Sequence, residues 1–138
     1  MFKKLIFGLS LWLFATTLSF GANFDDGYSA IEKGDYKTAF TIFEDLAEKG
    51  DAVAQFALGF MYYDGLGVRQ DYFKAKEWYE KAATQGDAQA QNNLGVMYDN
   101  GYGVIQDKKI AKELYGKACD GGVQIACDNY KILNQQGY

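Results

Sequence analysis

The sequence has 138 residues and contains no histidine, no proline and only two cysteines. Without histidine, no mechanism can use imidazole as a general base, a proton shuttle or a metal ligand. Two thiolates alone do not complete a zinc site, so we expect no metal and no other cofactor. The formal net charge is -4, and the basic residues are scattered along the chain. No basic patch is therefore expected for a nucleic-acid partner.

The N-terminal segment differs in composition from the rest of the chain. A short basic start leads into an apolar run over residues 5–20, and the small residues Ser19 and Gly21 suit a signal-peptidase site. Residues 1–21 are therefore predicted to be a signal peptide, cleaved after Gly21 or Ala22, so that the mature chain is secreted or periplasmic. The alternative is an uncleaved anchor, although the run is shorter than the about 18 to 20 residues of a membrane-spanning helix.

One segment of 36 residues occurs twice in succession, over residues 50–85 and 86–121. The two copies align without a gap and are identical at more than half of their positions. This predicts a stack of one repeated structural unit. Such a stack presents a long ridged surface, which suits binding of a partner better than chemistry in a deep pocket.

Each unit is predicted to form two antiparallel helices. The first helix has a core face of residues three and four positions apart, namely Ala54, Leu58, Gly59 and Tyr62, repeated as Ala90, Leu94, Gly95 and Tyr98. The second helix buries Ala75, Tyr79 and Ala82, repeated as Ala111, Tyr115 and Ala118. The expected N-caps are Asp51, Asp71, Asp87 and Asp107, and glycines at positions 65 and 101 are expected to end the first helices.

Partial units flank the two complete ones. Residues 22–49 are expected to form a helix pair without the glycine-rich insert, and residues 122–138 a single capping helix. The predicted fold is all-α, a right-handed α/α solenoid of antiparallel helix pairs with seven helices over residues 22–138. This number of units is close to the minimum at which stacked interfaces outweigh chain entropy.

The two cysteines, Cys119 and Cys127, lie on either side of a turn between two predicted helices. This spacing across a helical hairpin brings two sulfurs within reach of one another, and an exported protein meets an oxidising compartment. We therefore predict a disulfide between them. The alternative, a redox-active pair, is normally built on the closer Cys-x-x-Cys spacing.

The repeated pattern Ala-x-x-x-Leu-Gly-x-x-Tyr, Gly-x-Gly-Val, Asp and Ala-x-x-x-Tyr-x-Lys-Ala resembles the Sel-like repeats, which are relatives of the tetratricopeptide repeat. With a signal peptide and a Cys-x7-Cys pair, the chain is similar to the Hcp family of secreted, cysteine-rich bacterial repeat proteins. Members of that family usually carry a cysteine pair in each unit, whereas this sequence has one pair in total.

The resemblance implies an alternative function, because some Hcp proteins are described as penicillin-binding proteins with weak beta-lactamase activity. A serine beta-lactamase uses Ser-x-x-Lys, Ser-Asp-Asn and Lys-Thr-Gly motifs. The predicted mature chain has one serine, Ser29, which is followed by Ala30, Ile31 and Glu32, and it has neither of the other motifs. No catalytic residue is therefore assigned.

The favoured hypothesis is an exported binding module for a protein, a peptide or a peptidoglycan fragment, with a beta-lactam as the alternative ligand and a structural role in an envelope assembly as a further alternative. The binding surface is predicted on the concave face, lined by the first helix of each unit. Candidate residues lie off the core face and differ between units: Phe56, Phe60 and Tyr63 in one, and Asn92, Asn93, Val96 and Asp99 in the next. The aromatic residues are expected to form an exposed stripe, and the asparagines to bind a peptide backbone.

Overall fold

The computed structural model describes residues 22–138, and their regular structure consists of seven helices. The helices are α1 (Phe24–Glu32), α2 (Tyr36–Glu48), α3 (Ala52–Asp64), α4 (Tyr72–Thr84), α5 (Ala88–Asn100), α6 (Lys108–Asp120) and α7 (Gln124–Gln135). Each helix packs against the next one in sequence, which gives a stack of antiparallel hairpins. The predicted all-α solenoid is therefore confirmed for these residues.

The predicted signal peptide lies outside the described residues. Among residues 22–138, no helix combines the length and the apolar character needed to cross a membrane.

The helix ends follow the predicted capping pattern. Five helices begin after an aspartate whose carboxylate accepts a hydrogen bond from the backbone amide three residues later, at Asp35, Asp51, Asp71, Asp87 and Asp107. Helices α3 and α5 end at Gly65 and Gly101, which have φ angles of 70° and 73°. Glycine takes this left-handed conformation without steric cost, so both helices stop where the sequence predicts.

The two helices of each unit cross where a glycine meets an aromatic ring. A Cβ atom at Gly59 would lie 2.5 Å from the ring of Tyr79, and one at Gly95 would lie 2.7 Å from the ring of Tyr115. Gly27 of α1 meets the aromatic ring of α2 in the same way, at 2.6 Å. Helix α1 is therefore the first helix of a unit, shifted out of the repeat period because its connection to α2 lacks the glycine-rich insert.

The core lies between the first and second helices of the stack. The predicted buried residues of α4 and α6 are all inaccessible to solvent, as are Ala39 and Phe43 of α2. Two methionines that the pattern does not identify, Met61 and Met97, are also buried in the first helices. Tyr98 was predicted to be buried like Tyr62 but is partly exposed.

Three hairpins join one unit to the next, namely α2–α3, α4–α5 and α6–α7. In each of them the same two repeat positions are in contact. In the first two hairpins a glutamine amide donates to a backbone carbonyl, from Gln55 to Ala47 at 3.2 Å and from Gln91 to Ala83 at 3.3 Å. In the last hairpin Cys119 and Cys127 occupy these positions and form a disulfide, with their Cα atoms 4.6 Å apart. The predicted disulfide is thus confirmed, and it replaces a hydrogen bond of the earlier hairpins.

Candidate functional site

A cavity of about 180 Å³ opens between α3, α4 and α5. It is lined by Phe60, Tyr63 and Asp64 of α3, Tyr79 of α4, and Asn93 and Val96 of α5. We call it the α3–α5 cavity. Because α3 also contacts α5 directly, the cavity lies where the first helices of the two complete units meet. It brings together four of the predicted binding residues, Phe60, Tyr63, Asn93 and Val96.

Aromatic side chains form one wall of the cavity and extend beyond it. Phe60 is 42% exposed, and Tyr63 is half-buried beside it. The Tyr63 ring lies 5.1 Å from Tyr72 and 6.1 Å from Tyr102, and these two rings stack at 5.3 Å. The aromatic surface therefore runs from the cavity to the glycine-rich loop after α5.

A buried tyrosine and two asparagines form a hydrogen-bonded chain at the other wall. Asn93 donates through Nδ2 to the Tyr79 hydroxyl at 3.1 Å, and Asn92 donates to Oδ1 of Asn93 at 3.3 Å. Burial raises the pKa of Tyr79, and the negative charge of Asp64 adds to this rise, although the Asn93 hydrogen bond opposes it. Tyr79 is therefore a neutral phenol at physiological pH.

Asn92 does not lie where the sequence analysis places it. Its side chain is only 8% exposed, so the expected exposure of this residue is wrong. Asn92 corresponds to Phe56 in the preceding unit, whose half-buried ring lies 5.9 Å from Tyr79. This position therefore leans toward the second helix. Among residues 22–138, Asn92 Oδ1 has no hydrogen-bond partner, and the part of Phe56 and Asn92 in binding stays a prediction.

Asp99 is held by neighbouring side chains. Lys108 Nζ lies 2.6 Å from its Oδ1, and the Tyr115 hydroxyl donates to its Oδ2 at 3.3 Å. The hydrogen bond to Asp99 raises the pKa of Lys108. In the preceding unit the positions of Asp99 and Lys108 are occupied by Tyr63 and Tyr72, so an ion pair replaces an aromatic contact. The predicted binding role of Asp99 stays a prediction.

Helix α1 carries candidate residues that the sequence analysis misses. When Gly27 is aligned with Gly59, Tyr28 corresponds to Phe60 and Phe24 to Phe56. Tyr28 is exposed, and its ring lies 4.8 Å from that of Phe24. The signal is present in the sequence but is hidden, because an alignment at the repeat period does not place these glycines together.

The α3–α5 cavity is lined by aromatic, amide, aliphatic and carboxylate side chains. Within residues 22–138, no three histidine, cysteine, aspartate or glutamate side chains come together to hold a metal ion. Ser29 lies in α1, away from the residues that line the α3–α5 cavity. The cavity therefore offers an apolar surface, hydroxyl groups and one carboxylate, which together suit recognition of a side chain.

The model of the Sel1 repeat matches residues 52–87 and 88–123, which is more than half of the chain. A Sel1 repeat protein from Oxalobacter formigenes is 32% identical with a TM-score of 0.79, over 83% of this chain and 47% of that one. The protective antigen c5321, which is present in uropathogenic Escherichia coli strains and displays an SLR fold, is 31% identical with a TM-score of 0.77. The match covers 80% of this chain and 25% of that one.

Helicobacter pylori cysteine-rich protein B is 26% identical with a TM-score of 0.68, and the match covers 77% of this chain and 81% of that one. No curated protein matches the chain by sequence. The chain thus spans about half the length of the Oxalobacter protein and a quarter of the Escherichia antigen.

Proposed function

Because the chain belongs to the Sel1 repeat family, whose repeats generally mediate protein–protein interactions, we propose that it holds a peptide segment of a partner protein on the surface where α3 and α5 meet. One observation carries the proposal: the α3–α5 cavity, a recess of about 180 Å³ that is lined by the exposed ring of Phe60, the half-buried ring of Tyr63 and the buried ring of Tyr79. Side-chain recesses of this kind are where interface anchors dock.

The exposed aromatic surface supports this proposal. Phe60 and Tyr28 occupy corresponding positions in successive first helices, and both are exposed. Tyr102 continues the same kind of surface beside Tyr63. Aromatic groups that the fold leaves in contact with solvent are typical of protein–protein contact sites. The affinity for a partner would therefore come mainly from side chains inserted against these rings.

The asparagines contribute less to the proposed binding than their sequence position suggests. Asn92 is buried, and both polar ends of Asn93 are engaged, one with Tyr79 and one with Asn92. The Asn93 amide therefore holds the cavity wall in place. Recognition of a peptide on this surface depends on Phe60, Tyr63 and the apolar wall at Val96.

The described contacts favour a peptide over the other ligands considered. A peptidoglycan fragment or a beta-lactam has no specific contact in the cavity to support it, and hydrolysis has no paired nucleophile and base among the described residues. A nitrocefin assay on residues 22–138 tests the beta-lactamase hypothesis directly. Turnover that depends on a cavity residue would replace the binding proposal with an enzymatic one.

We also propose that residues 1–21 direct export and that residues 22–138 form the mature repeat domain. The disulfide and the likeness to a cysteine-rich Helicobacter protein support export, because disulfides persist mainly in oxidising compartments. N-terminal sequencing of the protein from the envelope fraction tests this, and material that begins at Met1 would contradict it.

Selection of peptides from a random library on residues 22–138 tests the binding proposal. The selected peptides should lose about tenfold in affinity for the Phe60→Ser variant, because an interface anchor typically contributes more than 1 kcal/mol. Phe73→Ser is the matched control, since Phe73 is also an exposed phenylalanine but lies on α4, outside the cavity. Peptides that bind both variants equally, or a selection that enriches none, would contradict the proposal.

A further inference from the structure

The α3–α5 cavity has one carboxylate, Asp64, at the end of α3. Asp64 is exposed, and the three ion pairs among residues 22–138 involve Asp45, Glu80 and Asp99 instead. The cavity therefore presents a negative charge that the described part of the chain does not neutralise.

The rings beside this carboxylate also lack a cation. Four lysine–aromatic contacts occur among the described residues, over the rings of Tyr62, Trp78, Tyr138 and Tyr130. None involves Phe60, Tyr63 or Tyr79, the three rings that line the cavity. An aromatic ring attracts a cation placed over its face, so these rings and Asp64 favour the same kind of group.

We propose that the α3–α5 cavity takes one cationic side chain, lysine or arginine, from the peptide segment of the partner. The aliphatic part of the side chain lies against Phe60 and Val96, and its charged end reaches Asp64. This inference rests on the proposed function and adds the chemistry of the residue that is recognised. The volume of about 180 Å³ suits one side chain, since a cavity of about 150 Å³ holds one benzene molecule.

The second complete unit has different polar contacts at the positions of Tyr63 and Asp64. Asn100 occupies the position of Asp64 and donates to the Val96 carbonyl of its own helix at 2.8 Å. The neighbouring Asp99 is already paired with Lys108. At these repeat positions, only the first of the two complete units, residues 50–85, therefore combines an aromatic ring with a carboxylate that is free of ion pairs among the described residues.

The test uses NMR titration of residues 22–138 with Nα-acetyl-lysine methylamide and, in parallel, with the uncharged norleucine analogue. Nα-acetyl-arginine methylamide forms a third arm that separates the two cationic groups. We expect either cationic probe to shift the signals of Phe60, Tyr63 and Val96 with an affinity about fivefold above that of norleucine. Added salt should reduce this preference, because it screens the charge of Asp64.

Asp64→Asn is the informative variant, because the repeat already carries asparagine at the corresponding position 100 and the substitution is therefore compatible with the fold. It should reduce the preference for the cationic probes over norleucine, because only the aromatic rings then favour a cation. Glu113→Gln is the matched control: it removes one negative charge from α6, where Glu113 is exposed and is not among the residues that line the cavity. This control should keep the preference.

Three results would overturn the inference. The first is equal binding of norleucine and the cationic probes, and the second is an undiminished preference in Asp64→Asn. The third is the absence of any shift at the cavity residues at millimolar probe concentrations. The proposed function can survive each of these results, because selected peptides that depend on Phe60 but contain no required basic residue would still show that the surface binds peptides.

Discussion

The two complete units, residues 50–85 and 86–121, have the same core but different surfaces between their first helices. In both, a glycine of the first helix lies against a tyrosine ring of the second helix. Positions on or beside this surface differ in size and charge: Phe56, Phe60, Tyr63, Asp64 and Tyr72 in one unit are replaced by the buried Asn92 and by Val96, Asp99, Asn100 and Lys108 in the next.

This difference separates the residues that form the fold from those that are available for function. Many positions that are identical in both units cap helices, end helices or permit close packing. Among the differing positions, Phe60 gives the first complete unit an exposed ring, and Asp64 gives it a carboxylate without an ion-pair partner in residues 22–138. In the second unit, Asp99 and Lys108 form an ion pair. The proposed recognition therefore belongs to the first unit and to its boundary with α5.

Substitution of the shared glycines should have the largest effect. Gly59→Ala and Gly95→Ala would each place a Cβ atom less than 3 Å from a tyrosine ring, which forces the helices of the unit apart. We expect a loss of about 2 kcal/mol for each and, since the sites lie in different units, about 4 kcal/mol for the double variant.

Urea denaturation followed by circular dichroism measures this loss. Gly116→Ala is the control, because its Cβ atom would lie 3.4 Å from the Tyr130 ring, at ordinary contact distance. It should be neutral or stabilising by about 0.5 kcal/mol, since alanine favours a helix over glycine. A neutral Gly59→Ala would show that the shared crossing is not what holds the unit together.

Loss of the disulfide should have the next largest effect. The bond between Cys119 and Cys127 closes a short loop, so its removal should cost about 2 to 3 kcal/mol. The double substitution Cys119→Ala with Cys127→Gln restores the pair found at Ala83 and Gln91. This variant should recover about 1 kcal/mol relative to a Cys119→Ala, Cys127→Ala variant, through one hydrogen bond.

Thermal unfolding of the three proteins tests this order. If the alanine and glutamine variants at position 127 had equal stability, the hydrogen bond of the earlier hairpins would not stabilise this hairpin in place of the disulfide.

Most of the fold follows from the sequence because its determinants are local and repeated. The aspartate caps, the glycine terminators and the alanine and tyrosine stripes each act within one or two helical turns, and they occur twice. The disulfide also follows, because its cysteines lie on either side of one short turn. The register of α1 does not, since the missing insert removes it from the repeat period and hides the equivalence of Gly27 and Gly59.

Less of the candidate site than of the fold can be predicted from the sequence. Helical periodicity places Phe60 and Tyr63 off the core face, but it does not show that Asn92 turns toward the second helix and becomes buried. Nor does it show which charges are paired: Asp99 meets a lysine across a helix boundary, whereas Asp64 does not. These outcomes depend on contacts between helices, which the spacing within one helix does not determine.

Two buried amide side chains should respond in opposite directions when they are replaced by leucine. Gln55 is satisfied at both ends, since it donates to Ala47 and accepts from Gln85 at 2.8 Å. Gln55→Leu should therefore cost about 1 to 2 kcal/mol. Asn92→Leu removes a buried oxygen that lacks a partner in residues 22–138, but it also removes the hydrogen bond from Asn92 to Asn93, so it should stabilise the protein by only about 0.5 kcal/mol.

Both variants are measured by urea denaturation against the parent chain. If Asn92→Leu lowered the free energy of unfolding as much as Gln55→Leu does, the Asn92 oxygen without a partner would not destabilise the protein.

The smallest effect is expected where an ion pair in one unit replaces an aromatic contact in the other. Lys108→Met should cost about 0.5 kcal/mol at low salt, because the pair with Asp99 is partly exposed, and the cost should vanish in about 1 M salt. Tyr72→Leu, at the corresponding position, removes an aromatic contact with Tyr63 and should cost about 1 kcal/mol at either salt concentration.

The pH dependence of Lys108→Met provides a second measure of the same ion pair. Because the pKa of Lys108 is raised above its ordinary value of 10.5, the pair stabilises the fold fully below that pH. The stabilisation is lost as the pH rises through the raised pKa. The difference in stability between the parent and Lys108→Met should therefore shrink at alkaline pH. A salt-independent cost of Lys108→Met would instead show that the aliphatic stem of Lys108 stabilises the second unit by packing, as the ring of Tyr72 does in the first.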